Sequence, residues 1–271
     1  MKLLNLNLDL RPPRRYFLST PNLTQRLIIL GKIVYQEKPD FITFQEATDI
    51  MVLANLRLLF FPDYSLVKSG WFKLSSGLVT AYDHTRWQLS YKKFYPFTNQ
   101  GKLISKEMAD RLLRKGILLT VLDNLKTQER VIVLNVHFTA NYGRKMADEE
   151  RKVLKAQLEQ LRQLVEDKNH IGRWRLVAGD FNADFSSPTI SEWLKAIGGQ
   201  AVFSTDEPTI CPEINPLCHP DQKHSCLIDN IICFGRSGTI GGRLVFNTKG
   251  QFISDHFGQL ADIRTPGVRI S

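Results

Sequence analysis

The sequence predicts an α/β protein, and three observations lead there. Segments of strand character and segments of helical period alternate from one end of the chain to the other. No stretch rich in proline, glycine or serine divides the chain, so one domain over residues 1–271 is the simplest organisation. The composition, 43% hydrophobic and 23% charged over 271 residues, is that of an ordinary globular chain able to bury a sizeable core.

The elements follow in order. Lys2 to Leu8 reads as a short buried strand, followed by a basic connection with Arg11, Arg14 and Arg15 around Pro12 and Pro13. Asn22 or Thr24 caps a helix running to about Glu37, with Leu23, Leu27, Ile28 and Leu30 on its apolar side; Pro39 and Asp40 end it. Phe41 to Gln45, "FITFQ", is a dense β-forming run, and a second helix is expected from Thr48 to Phe60. Strands are expected at Leu78 to Ala81, Ile117 to Leu122 and Val131 to Val136. From Met146 to Asp167, charged residues alternate with Leu and Val at helical spacing, the clearest amphipathic helix in the chain. Leu176 to Ala178 is a strand ending at Gly179, and Ile228 to Phe234 and Gln259 to Ile263 are the last strands. This alternation does not separate a doubly wound sheet from a four-layer sandwich of two sheets covered by helices.

Charge narrows the partners. A net charge of +9 favours polyanions: nucleic acid, acidic membrane surfaces or phosphorylated small molecules; a solvated basic surface is the plain alternative. No apolar run approaches the roughly 20 residues of a membrane helix. The opening MKLLNLNLDLRPPRR is interrupted by Asn5, Asn7 and Asp9, with no small-residue cleavage site after it. It does not read as a signal peptide, and a cytoplasmic location is expected. Cys211, Cys218, Cys226 and Cys233 lie in one segment with His219 and His224. Without a CxxC pair or a recognisable zinc spacing they read as free thiols, a disulfide and a metal site being the alternatives.

Polar residues of chemical use stand at the ends of the expected strands. Glu46 follows "FITFQ"; Asn135 and His137 close "VIVLNVH"; Asp180 and Asn182 follow "LVAG"; Asp229 and Asn230 lie in "LIDNII"; Asp255 and His256 precede the last strand. Glu46 and Asp255 are hard oxygen ligands and Asn7 adds a carbonyl, a donor set of the kind magnesium prefers. His137 and His256 can donate hydrogen bonds or move a proton near neutral pH, and Asp180, helped by Asn182, can orient or deprotonate a water. Phosphoryl chemistry needs these parts together: a cation, a positioned nucleophile and donors for developing charge. Taken singly each has a plainer reading, a structural histidine, a turn after a strand or a loop cap.

In order along the chain, "LNLNL" with Asn7, "KPDFITFQEA" with Glu46, "LNVHFTAN" with His137, "AGDFNAD" with Asp180 and Asn182, "LIDNII" with Asp229 and "ISDHFGQL" with Asp255 and His256 resemble the endonuclease/exonuclease/phosphatase superfamily. The resemblance implies a four-layer α/β/β/α sandwich of two mainly antiparallel sheets flanked by helices, with the site at one end of the sheets. It implies that Asn7 and Glu46, with Asp255 contributing, hold Mg2+, with Mn2+ as a substitute. It further implies that His256 paired with Asp229 is a general base or phosphate-binding imidazole, that Asp180 and Asn182 serve the attacking water, and that His137 stabilises charge on phosphorus. In some relatives a carboxylate follows the first Asn closely; Asp9 stands there, where a surface aspartate reads equally well.

The expected activity is phosphodiester hydrolysis by a monomer. "GDFNAD" is similar to deoxyribonuclease I and the basic charge suits nucleic acid, while "HFTANY", "LLRKGILL" and "EINPLCHP" are similar to the sphingomyelinase-like branch, which acts on a phospholipid headgroup. A phosphate-binding module without turnover is the rival from another class, disfavoured because no member of the set is missing. Two segments bear on the substrate. Trp71 to Lys93 interleaves Trp71, Trp87 and Tyr91 with basic residues; a strand pair with its aromatics in the core is the preferred reading, and a grip on single-stranded nucleic acid or a lipid surface the alternative. Thr209 to Cys226 precedes the Asp229 strand and is expected to wall the cleft.

Overall fold

The computed structural model describes residues 1–9, 23–47, 54–58, 63–69, 76–100, 114–140, 148–167, 172, 174–220, 222–235 and 239–264. Its strands are β1 (Lys2–Asn7), β2 (Phe41–Gln45), β3 (Tyr64–Lys68), β4 (Val79–Asp83), β5 (Trp87–Pro96), β6 (Gly116–Asn124), β7 (Arg130–His137), β8 (Trp174–Asp180), β9 (Gln200–Ala201), β10 (Asp229–Gly235), β11 (Thr239–Val245) and β12 (Gly258–Arg264). The helices used below are α1 (Leu23–Glu37), α2 (Asp148–Glu166) and α3 (Pro188–Ile197).

The strands form two six-stranded sheets, ordered β11-β12-β1-β2-β4-β3 and β5-β6-β7-β8-β10-β9. Each is antiparallel except for one central parallel pair, β1 with β2 and β7 with β8. Strand alternation builds the layers. Along β1 and β2, Leu4, Leu6, Ile42 and Phe44 face Leu27, Leu30 and Val34 of α1. Leu3 and Phe41, on the other face, join the core that continues through the second sheet to Leu154, Leu158 and Leu161 of α2 and Ile190 and Trp193 of α3. The result is the four-layer α/β/β/α sandwich that the resemblance implied.

Several details differ from the expectations. On α1, Ile28 is 49% exposed and Val34 takes the buried place, because the contact stripe is turned toward Leu27, Leu30 and Val34. Of the expected helix from Thr48 to Phe60 only residues 54–58 are described, and they are helical. Asn22, Trp71 and the basic connection from Arg11 to Arg15 lie outside the described residues. Trp87 is a core residue, its indole donating to Asp40 Oδ1 at 2.8 Å, whereas Tyr91 is on the surface. The expectations omitted β3, β9, β11 and α3. In β11, "TIGGRLV", glycine weakens the strand pattern, but a Cβ on Gly242 would lie 2.7 Å from Phe203 Cζ, so any larger residue would have to displace the Phe203 and Val202 side chains. Helix α3 carries ordinary end signals: Ser187 accepts from Ile190 N–H, Pro188 opens the first turn and Gly198 closes it in the left-handed region at φ 64°.

Candidate functional site

Parallel pairing sets which strand ends meet. Strands β1, β2, β7 and β8 all finish at one rim, with Asn7, Gln45, His137 and Asp180 as their last residues. Strand β10 runs antiparallel to β8, so Asp229 begins it opposite Asp180. His256, two residues before β12, is bridged to Ile210. Asn7, Glu46, His137, Asp180, Asp229 and His256 are all buried.

They form one connected group. Asn7 Nδ2 donates to Asp180 Oδ2 at 3.0 Å, joining the two sheets. His137 Nε2 lies 3.4 Å from Asp180 Oδ2 and 3.6 Å from Glu46 Oε1. Glu46 leaves β2 with φ 56°, in the left-handed region. His256 Nδ1 meets Asp229 Oδ2 at 2.7 Å, and its Nε2 lies 3.9 Å from Asp255 Oδ1. Asn182 (φ 48°) gives its backbone N–H to Asp180 Oδ1 at 2.7 Å and its Nδ2 to Phe138 O at 3.0 Å. Its carboxamide is therefore engaged on the loop after β7, and Asn182 orients Asp180 through the main chain. Asp255 is partly exposed and accepts from Ser254 Oγ at 3.1 Å. Asn7 Oδ1 accepts from Asp9 N–H at 2.9 Å.

Burial and neighbouring charge polarise the group. Burial, reinforced by Asp229, pushes the Asp180 carboxyl up to about 7, against the pull of His256, Lys115 and the Asn182 N–H. Burial disfavours a charged His256, but Asp229, Asp255 and Asp180 outweigh it and hold the imidazole well above its ordinary value. At neutral pH the site thus sets an imidazolium on a carboxylate beside a carboxyl that ionises in the same range. Asp180, Asp229 and His256 present ligand atoms all within 4.8 Å of one another, and Asp229 Oδ1 is a buried oxygen with no hydrogen-bond partner among the described residues. The oxygens of Asp180 and Asp229, with Glu46 Oε1 at the same rim, are donors of the kind a hard divalent cation takes, whereas a cationic His256 offers it no lone pair.

Two residues escaped sequence reasoning. Lys115, buried just before β6, places Nζ 2.6 Å from His137 Nε2. Arg26 of α1 donates through Nη2 to Leu8 O at 2.6 Å and through Nε to Ile253 O, tying the segment after Asn7 to the one before Asp255. Each is one of 36 basic residues, and only the spacing of Lys115 ahead of a strand was available as a signal.

The segment 209–226 packs on the same rim. Thr209 O accepts from Phe257 N at 2.7 Å, Asn215 Nδ2 donates to Ser254 O at 2.9 Å, and Cys218 Sγ lies 3.4 Å from Asp255 O. Ile214 and Leu217 on this segment are exposed. All four cysteines are free; burial raises Cys218 to about 11 and Cys226 and Cys233 to about 12. Among the described residues no helix is long and apolar enough to cross a membrane.

A family model described as the endonuclease/exonuclease/phosphatase family matches residues 4–256. Among solved structures, SmcL aligns with a TM-score of 0.76 at 19% identity, over 97% of this chain and 98% of that one. A Staphylococcus aureus beta toxin F277A, P278A mutant with bound magnesium ions aligns at 0.72 and 18% identity, over 96% and 98%. D. rerio TDP2 complexed with single strand DNA product aligns at 0.66 and 15% identity, over 98% and 99%. A sequence comparison with curated proteins finds no match.

Proposed function

The chain belongs to the endonuclease/exonuclease/phosphatase family, and from that premise we propose that it is a magnesium-dependent phosphodiester hydrolase acting on nucleic acid. The observation that carries the reading is the convergence of Asn7, Glu46, His137, Asp180, Asp229 and His256 at one rim, with an imidazolium–carboxylate pair next to a carboxyl that titrates at about 7. Asp180 takes the proton of the attacking water, a role that suits a base near the working pH. Asn182 holds Asp180 through its backbone N–H. His256, kept cationic by Asp229, donates to a phosphate oxygen, and the Lys115 ammonium, donating to His137 Nε2, adds positive charge beside His137 where the phosphorus becomes negative. Magnesium held by Glu46 and Asn7, with Asp255 contributing and manganese as a substitute, would neutralise the phosphate and acidify a bound water. The magnesium in the beta toxin structure and the DNA product in the TDP2 structure support this reading, as does the net charge of +9.

One observation favours a second reading, a phospholipid headgroup. Ile214 is 56% and Leu217 42% exposed on the segment that touches Asp255, an apolar rim suited to a lipid surface. Plasmid DNA, single-stranded DNA, RNA and sphingomyelin vesicles assayed side by side with magnesium and with EDTA separate the two. Magnesium-dependent cleavage of a nucleic acid supports the first reading. Cleavage of sphingomyelin alone overturns it in favour of the second, and affinity without turnover overturns both in favour of a binding module.

A further inference from the structure

The space between two packed sheets is ordinarily filled with apolar side chains. Here a file of fully buried polar side chains crosses it: Asn5, Thr43, Gln45, Asn135 and Gln259, all 0% exposed. Thr43 Oγ1 donates to Asn5 Oδ1 at 2.8 Å, and Gln45 Nε2 donates to Asn5 Oδ1 at 3.1 Å and to Asn135 Oδ1 at 2.8 Å. Asn135 Nδ2 returns bonds across the sandwich to Phe44 O at 3.1 Å and Val79 O at 2.9 Å. At the other end Asn5 Nδ2 donates to Gln259 Oε1 at 3.3 Å, and Gln259 Nε2 donates to the main-chain oxygen of Asp229 at 3.0 Å.

Two struts of this file join the sheets, in addition to the Asn7–Asp180 bond. One runs from Gln45, Phe44 and Val79 to Asn135, two residues before His137; the other runs from Gln259 of β12 to Asp229 of β10. A buried amide that loses its partner is left unsatisfied at a cost, so the bonded pairs of the file favour one register; Gln45 Oε1 is the oxygen of the file without a partner among the described residues. Its last bond falls on the residue whose carboxylate aligns His256.

We propose that Gln259 is a positioning residue: it fixes the Asp229 backbone, and through it the Asp229–His256 pair, relative to the sheet that carries Asn7 and Glu46. The inference rests on the reading of that pair as part of the reacting site. Gln259→Met keeps the side-chain length and removes the donor to Asp229 and the acceptor for Asn5. The expected result is a kcat on bis-p-nitrophenyl phosphate about 10- to 100-fold lower with KM unchanged, the range found when supporting bonds to active groups are lost. The low-field proton resonance of the His256 N–H bonded to Asp229 should move upfield or vanish. Val34→Ala, a core change in α1 remote from the rim, is the control for lost stability and should leave both readouts at wild type. If Gln259→Met does not fold, Thr43→Val, which deletes the hydroxyl that serves Asn5 Oδ1 and, at 3.5 Å, Leu4 O, should lower kcat about twofold and shift the same resonance. Wild-type kcat, or an unmoved resonance in the folded variant, overturns the proposal. His256→Ala is measured alongside: full turnover there defeats the assigned chemistry, whereas a dead His256→Ala beside an unaffected Gln259 variant defeats only the positioning role.

Discussion

Replacing Asp180 with asparagine removes a buried carboxyl that the fold holds against its charge. The side chain is 2% exposed, and burial together with Asp229 raises it from 3.8 to about 7. A carboxyl raised in the folded state binds a proton more tightly there than in the unfolded chain. Its contribution to stability is therefore complete below the unfolded value and is lost as pH rises through the folded one. At about 1.4 kcal/mol per unit, the wild type loses about 3 kcal/mol between pH 5 and pH 8 that Asp180→Asn does not lose. The N–H of Asn182 favours the ionised carboxyl, and that pull is already contained in the raised value. The assay is urea denaturation of both proteins in EDTA at the two pH values. The variant should gain about 3 kcal/mol on the wild type from pH 5 to pH 8 while losing hydrolysis. A stability difference that does not change with pH would refute the claim that the site stores an unfavourable carboxylate.

Other substitutions test separate parts of the account. Lys115→Met deletes the ammonium 2.6 Å from His137 Nε2 and should lower kcat about 100-fold in a protein that still folds; wild-type turnover contradicts a role for this charge. Glu37 bonds Lys2 at 3.2 Å and Arg243 at 2.5 Å; burial acts the other way, but these bonds hold its carboxyl below its ordinary value. Its stabilisation is present above the unfolded value and lost as pH falls through the folded one, so Glu37→Gln should cost about 0.5–1 kcal/mol at pH 7 and nothing near pH 2, read by urea melts. Ser187→Ala removes the cap of α3 and should cost about 1 kcal/mol without altering turnover, again by urea denaturation.

Much of the candidate site was legible because its residues are chemically conspicuous where they stand. Glu46, His137 and Asp180 follow apolar runs, and a polar group there is placed at a sheet rim by the strand itself. Legibility declined where a role depends on tertiary contact. Nothing local sets Lys115 or Arg26 apart from the other basic residues, and their place at the rim comes from His137, Leu8 and Ile253 approaching from other parts of the chain. Asn182 was legible as a neighbour of Asp180 in the candidate site, but its engagement with Phe138 O depends on the loop after β7. In the fold, the glycines of β11 concealed a strand, and Val202 and Phe203 pack where a Cβ on Gly242 would stand. Asn5 read only as an interruption of the apolar opening, and nothing local marked Gln45 or Gln259, yet these amides carry bonds that help join the sheets.

The central claim is that the converged rim hydrolyses phosphodiesters with a divalent cation. The most direct test is release of p-nitrophenol from bis-p-nitrophenyl phosphate by the wild type, Glu46→Ala and His256→Ala, each with magnesium, with manganese and with EDTA. The account predicts turnover by the wild type with either metal, its loss in EDTA, and a drop of at least about 100-fold in both variants. Equal rates in the wild type and the two folded variants, or turnover unaffected by EDTA, would contradict it.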